Sequence, residues 1–194
     1  MPKIPNRRKS LAWTGFTSFE LSPNEGASSI PEKFTENLAA LCGYVLGDGS
    51  IHSSGYRVSC YVNESEKDLV EQLLQLWKET FKITPRISTT EGQRIKTIDD
   101  GTGLLRQIVS TQTVYILEVN RKQVAHSLAV LANKRVPQQI FSSPNQVVSK
   151  FISWLFEADG HVLAKGRTAI QVKSRTPELL KDVQLLLLYF GIHS

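Results

Sequence analysis

Two nine-residue stretches, LCGYVLGDG at 41–49 and ISWLFEADG at 152–160, share one design: an apolar segment with helical spacing that ends in acid-glycine. Asp48 and Asp159 are 111 residues apart (159 − 48 = 111), and a repeat of that length means two similar halves rather than a stacked solenoid. A single acid-glycine at a helix end is ordinarily a solvated terminus. Two at equivalent places imply a shared role. Gly43 and Gly47 lie four apart, on one helical face, so the two helices are expected to pack backbone to backbone through Gly43, Gly47 and Ala158. That packing brings Asp48 and Asp159 side by side, where two carboxylates repel unless a cation lies between them. Oxygen donors of this kind suit a hard divalent ion.

The pattern around the two motifs predicts helix, hairpin, helix in each half. Residues 1–36 hold Pro2, Pro5, Pro23 and Pro31 and the isolated aromatics Trp13, Phe16 and Phe19 without a period, and read as an extended arm or linker. The first repeat is expected over 37–136. Its motif helix leads into a hairpin of SIHSS and YRVSCYVN, then the helix SEKDLVEQLLQLWKETF with Ser65 as its cap and Leu69, Leu73, Leu76 and Trp77 on one side. A second hairpin runs from ITPRISTT through a loop containing DDGTG to TVYILEVN, and RKQVAHSLAVLAN closes the unit as a helix. The second repeat, 137–194, opens on Ser143-Pro144 as a cap followed by a first-turn proline. It continues through the hairpin HVLAK and RTAIQVKS to the helix TPELLKDVQLLLLYF. From the strands onward the period drops to 110 (172 − 62 = 110, Val62 matching Val172), which reads as one residue lost from the second hairpin loop.

With both motifs, their spacing and the segments VPQQIFSSPNQVVSKFISWLFEADG and LLKDVQLLLLYFGI in view, residues 38–194 resemble the LAGLIDADG (DOD-type) homing endonucleases, and among them the type embedded in inteins. The resemblance implies an α+β fold, a pseudo-two-fold pair of αββαββα units with the motif helices at the interface and a saddle of antiparallel sheets over double-stranded DNA. It implies Asp48 and Asp159 as catalytic acids and the carbonyls of Gly47 and Ala158 as further ligands of Mg²⁺ or Mn²⁺. Water activated there would cut one phosphodiester in each strand. Two departures stand out. Trp154 occupies a place where the family has a small residue, and the sequence reaches GIHS where the second half would enter its second hairpin, so the second unit reads as incomplete, part of a longer intein-containing polypeptide or a decayed element. Splicing within the chain itself is not expected, because there is no His-Asn pair near the end and no nucleophile at the first position.

The hairpins also speak for themselves. Alternation puts Arg167, Gln171, Lys173 and Arg175 on one face and Thr168, Ile170 and Val172 on the other; Lys165 adds a further cation, and 161–175 contains no acid. In the first copy Arg57, Ser59, Tyr61 and Asn63 oppose Val58, Cys60 and Val62. A third, ragged ribbon holds Arg86, Ser88, Thr90, Arg94 and Lys96. Two-stranded ribbons fit the major groove, where arginine pairs with guanine and glutamine with adenine. A net charge of +5 agrees with a polyanionic partner. Cys42 and Cys60 sit in apolar runs without CxxC spacing, and the four histidines are scattered, so neither a disulfide framework nor a zinc site is indicated. No apolar run reaches membrane-span length and no signal peptide is read, so a cytoplasmic, DNA-containing compartment is expected, with no membrane partner and no small-molecule cofactor. The same scaffold also serves proteins that bind nucleic acid without cutting it, such as an intron-RNA maturase or a DNA-binding regulator; these have no need of both acids.

Overall fold

The computed structural model describes residues 30–90, 94–99, 103–163 and 169–194. The first half runs α1 (Glu36–Asp48), β1 (Gly49–Ile51), β2 (Arg57–Asn63), a 3-10 turn (Glu64–Glu66), α2 (Asp68–Phe81), β3 (Arg86–Thr90), β4 (Arg94–Asp99), β5 (Leu105–Ser110), β6 (Val114–Asn120) and α3 (Lys122–Ser127). A 3-10 stretch (Ala129–Asn133) and the short α4 (Gln138–Phe141) lead to α5 (Asn145–Asp159), β7 (Gly160–Leu163), β8 (Ala169–Val172) and α6 (Pro177–Leu188). All strand pairings are antiparallel, so the chain has the expected α+β fold.

Helix α1 is the centre of the molecule. Every residue from Leu38 to Leu46 is buried, as a helix enclosed on all sides must be apolar all round. Its start is fixed by Thr35, whose Oγ1 accepts from the Leu38 amide at 3.2 Å. Phe34, just before that cap, is 1% exposed and belongs to the core, whereas Trp13, Phe16 and Phe19 lie outside the described residues. On one side α1 meets a four-stranded sheet in the order β1-β2-β6-β3, which turns Val58, Cys60, Val62, Leu117 and Val119 inward. Helix α2 buries Leu69, Leu73, Leu76 and Trp77 as its spacing predicts. On the other side lies α5.

Several expectations need correction. Ser65 does not cap α2; it sits inside the 3-10 turn, and Lys67 takes the cap position without a side-chain bond. Ser143 does not cap α5 either, because its hydroxyl donates back to the Gln139 carbonyl at 2.8 Å and Pro144 holds the cap position. The segment between β3 and β6 is itself a hairpin, β4–β5, and it keeps one register. Arg86 pairs with Glu118 and Arg94 with Ser110, so a step of eight along one strand is a step of eight back along the other.

The lag between repeats also has a different origin from a shortened loop. Gly49 pairs with Cys60, eleven residues on, while Gly160 pairs with Val172, twelve residues on (60 − 49 = 11; 172 − 160 = 12). The second hairpin is therefore one residue longer. The shortening comes after it, where β8 passes to α6 without the 3-10 turn that precedes α2. By pairing, Val58 corresponds to Ile170, since each faces the equivalent residue, Ile51 or Val162, across its hairpin.

Candidate active site

Helices α1 and α5 are parallel and in backbone contact, and glycine makes the contact possible. A Cβ on Gly43 would collide with the Phe151 carbonyl oxygen and come within 2.9 Å of the Leu155 amide; a Cβ on Gly47 would lie 2.5 Å from the Ala158 Cβ. Moving along α1 moves along α5 in the same direction, so both C-termini arrive together. Gly43 thus lies against Phe151 and Leu155, and Gly47 against Ala158. Trp154, placed at the same point of its motif as Gly43 (154 − 43 = 111), turns its ring away onto Tyr44, edge to face with centroids 6.0 Å apart.

Asp48 and Asp159 are the last residues of their helices. The Asp159 Cγ lies 3.5 Å from where a Gly47 Cβ would be, so its carboxyl rests against the end of α1. Both groups stand at helix C-termini, where the unpaired carbonyls already carry partial negative charge, and neither helix has a basic residue in its last turn. Burial, reinforced by the charges of Asp159 and Glu66, pushes the Asp48 carboxyl up to about 6, against the opposing pull of Lys134. Burial likewise raises Asp159, again opposed by Lys134.

Lys134 is the residue beside the two acids that periodicity and motif reading passed over. It ends the 3-10 stretch in left-handed conformation (φ 50°, ψ 47°), and from there its Nζ donates to the Leu46 carbonyl at 2.6 Å and reaches the Gly47 carbonyl at 3.5 Å. Burial lowers its pKa, and the nearby Asp159 and Asp48 raise it in part. The next residue anchors the arrangement. Arg135 grips Asp182 of α6 with Nε at 2.6 Å and Nη2 at 2.9 Å, and the Val136 amide donates to the same carboxylate at 3.3 Å. The only hint in sequence was a basic Lys-Arg pair at the junction between repeats.

The donors fit a hard cation. Two carboxylates and the free carbonyls of two helix ends are all oxygen, and among the described residues no group of three or more His, Cys, Asp or Glu side chains gathers to hold a metal. Such a set suits Mg²⁺, Mn²⁺ or Ca²⁺, with water or substrate oxygens completing the sphere. The thiols play no part: Cys42 and Cys60 are buried and unbridged, and burial pushes Cys60 up to about 12.

The outer face of the four-stranded sheet carries the first predicted ribbon. Arg57, Tyr61 and Asn63 point there, as does exposed Arg86 in β3. Tyr61 is 40% exposed and shares a 3.0 Å hydrogen bond with the Ser50 hydroxyl. Ser59 is on that face by register but only 4% exposed, so a ligand does not reach it in this conformation. It sits across from Glu118, which pairs on its other side with Arg86 and forms an ion pair with Arg57 at 3.3 Å. An acid at the middle of the ribbon was not foreseen. In the second half Gln171, Lys173 and Arg175 are exposed, although Lys173 and Arg175 lie beyond the end of β8; Lys165, Arg167 and Thr168 lie outside the described residues, as do the side chains of Arg94 and Lys96. The intended core face of this hairpin is uncovered, with Ile170 64% and Val162 59% exposed.

Two repeats, joined through parallel helices that end in paired acids, define a pseudo-symmetric α+β protein with a dicarboxylate centre. The chain belongs to the LAGLIDADG-like domain family, whose model matches residues 35–128 and 146–194. It is similar over 84% of its length to a glutamine–fructose-6-phosphate aminotransferase of Methanocaldococcus jannaschii (24% identical, 13% of that protein covered) and to a probable translation initiation factor IF-2 of Thermococcus kodakarensis (30% identical, 12% covered). Over 80% of its length it is similar to a replicative DNA helicase DnaB of a Nostoc species (31% identical, 17% covered). The chain thus spans less than a fifth of these relatives. Among solved structures it is similar to the homing endonuclease I-WcaI bound to its DNA recognition sequence, at 10% identity and a TM-score of 0.45, covering 86% of this chain and 74% of that one. Among the described residues no helix is long and apolar enough to cross a membrane.

Proposed function

We propose that this chain is a site-specific DNA endonuclease that hydrolyses phosphodiesters in both strands of a long duplex site with Mg²⁺ or Mn²⁺. The observation that carries the reading is the convergence of Asp48 and Asp159 at the joined C-termini of α1 and α5. Charge of one sign concentrated at a half-buried spot is unfavourable in the absence of a ligand, and such arrangements mark functional sites.

Asp48 and Asp159 would hold the divalent cation, which would supply Lewis acidity and a lowered water pKa for the hydrolysis. The protein's own contribution is positional. The Gly47–Ala158 contact fixes the separation of the two acids, the helix-end carbonyls add oxygen donors, and the half-buried setting strengthens every charge interaction there. The sheet beginning at Gly49, one residue past Asp48, would place Tyr61, Asn63, Arg57 and Arg86 along the duplex from the cleavage point. Gln171, Lys173 and Arg175 do the same on the other side.

We also read the chain as a mobile module of intein type. The three relatives described above are named for three different activities, yet this chain covers less than a fifth of each of them. A segment common to proteins of unlike function is independent of those functions.

A randomised duplex library tests the proposal, with retention measured in Ca²⁺ and cleavage on transfer to Mg²⁺. Enrichment of one long site that is then cut in both strands is the expected result. Retention without cutting would leave a nucleic-acid-binding module, and no retention at all would reject the DNA reading.

A further inference from the structure

We infer that Tyr44 is a positioning residue for cleavage: its buried hydroxyl sets Tyr61, and with it the first ribbon, at a fixed place beside Asp48, so that one DNA strand is presented to the acid centre in register. The inference rests on the nuclease reading of the Asp48–Asp159 pair and adds a residue that acts through β2 rather than on the substrate.

Strand geometry supplies the argument. The Arg57 carbonyl accepts from the His52 amide at 2.9 Å, and carbonyls along a strand point alternately to its two edges, so Ser59 and Tyr61 also turn theirs toward β1. Strand β1 begins at Gly49, which pairs with Cys60; the next step of register sets Asp48, already helical, against Tyr61. No strand among the described residues is left on that edge to donate to the Tyr61 carbonyl. The Tyr44 hydroxyl does so instead, at 2.8 Å. Tyr44 is 1% exposed and carries the one hydroxyl in the buried run from Leu38 to Leu46, where a polar group without a partner is costly. Ser50 shares a 3.0 Å hydrogen bond with the hydroxyl of the same Tyr61. Residues on both sides of Asp48 therefore hold Tyr61: Tyr44 by its carbonyl and Ser50 by its side chain.

The second half lacks this tie. Leu155 stands at the place of Tyr44 (155 − 44 = 111) and has no hydroxyl. By strand pairing Tyr61 corresponds to Lys173, since Val58 corresponds to Ile170, and Lys173 lies beyond the end of β8. Helix α5 contributes from the other side: Trp154 sets its ring edge to face against Tyr44, so the second motif helix backs the residue that holds the first ribbon. A phenylalanine would fill the same space; the hydroxyl serves Tyr61 alone. Without the bond β2 can shift against Asp48 while the ribbon keeps its side chains for the duplex, and a misplacement of about 1 Å at a reacting group costs up to about a hundredfold in rate. Asp48 and the first ribbon belong to one repeat, so the loss falls on the strand they present.

Strand-resolved single-turnover cleavage in Mg²⁺ of the duplex selected from the library is the test, run on wild type and on Tyr44→Phe, which keeps the ring and its contact with Trp154. Duplex binding in Ca²⁺ should stay within about twofold and cutting of one strand should slow about tenfold. The other strand should be cut at the wild-type rate, so that nicked duplex accumulates. Leu73→Ala opens the core at α2 without touching the Tyr44–Tyr61 bond; it controls for lost stability and should show no such imbalance. Wild-type rates on both strands in Tyr44→Phe, equal slowing of both, a parallel loss of binding, or the same imbalance in Leu73→Ala would each overturn the inference while leaving the nuclease standing. If wild type retains the duplex but cuts neither strand, the nuclease reading falls and the inference with it.

Discussion

Val58 and Ile170 hold the same place in the two hairpins, across from Ile51 and Val162 respectively, yet Val58 is 0% and Ile170 64% exposed. The difference lies in what covers them. Val58 is paired by β6 on its far edge, while β8 has no second partner among the described residues. Between β8 and α6 runs a groove of about 980 Å³ lined by Phe156, Ile170, Val172, Leu187 and Ile192. Val58→Ala should therefore cost about 2 to 3 kcal/mol, and Ile170→Ala less than about 0.5 kcal/mol. Urea denaturation of the two variants checks this; equal losses would mean that Ile170 is covered in solution.

The helix contact at Gly47 makes a second prediction. With only 2.5 Å between its would-be Cβ and that of Ala158, Gly47→Ala should force the helices apart and destabilise the protein by about 1 to 3 kcal/mol. The double variant Gly47→Ala with Ala158→Gly should recover most of that. Failure of the second change to rescue the first would place the strain elsewhere.

The acid centre should also appear in the pH dependence of stability. The Asp48 carboxyl, pushed up to about 6 mainly by burial, keeps its proton to higher pH than an unfolded aspartate, near 3.9. Between those values the folded chain binds more protons than the unfolded one, so stability falls as pH rises. In EDTA the melting temperature should climb as pH drops from 7 toward 5, and Asp48→Asn should flatten that climb and melt above wild type at pH 7. A melting temperature that falls steadily over this range would contradict the assignment.

Glu118 lies on the face assigned to DNA and holds Arg57 at 3.3 Å. Glu118→Gln should free the guanidinium and remove a repelling charge, strengthening duplex binding several-fold and steepening the salt dependence by about one unit. Binding indifferent to this change would move the DNA to another surface.

What could be read from the sequence was what repeats or alternates. The paired motifs, the apolar sides of α1 and α2 and the inward face of β2 all follow from periodicity, which is a local property. The caps were misplaced because Ser65 and Ser143 each have a cap's composition but spend their geometry in a 3-10 turn and on the Gln139 carbonyl. Strand register hid the true lag between repeats: a hairpin gains a residue without disturbing its two-residue alternation. Lys134 and Glu118 escaped notice because each acts through a partner far along the chain, Leu46 in one case and Arg57 in the other.

The central claim is that two acids, one from each repeat, form one cleavage centre. Its most direct test is strand-resolved cleavage of a selected duplex site in Mg²⁺ by wild type, Asp48→Asn and Asp159→Asn, with binding measured in parallel in Ca²⁺. The account predicts that wild type cuts both strands and that either substitution reduces cutting by at least about a thousandfold while duplex binding persists. Normal cutting of both strands by either variant would contradict it.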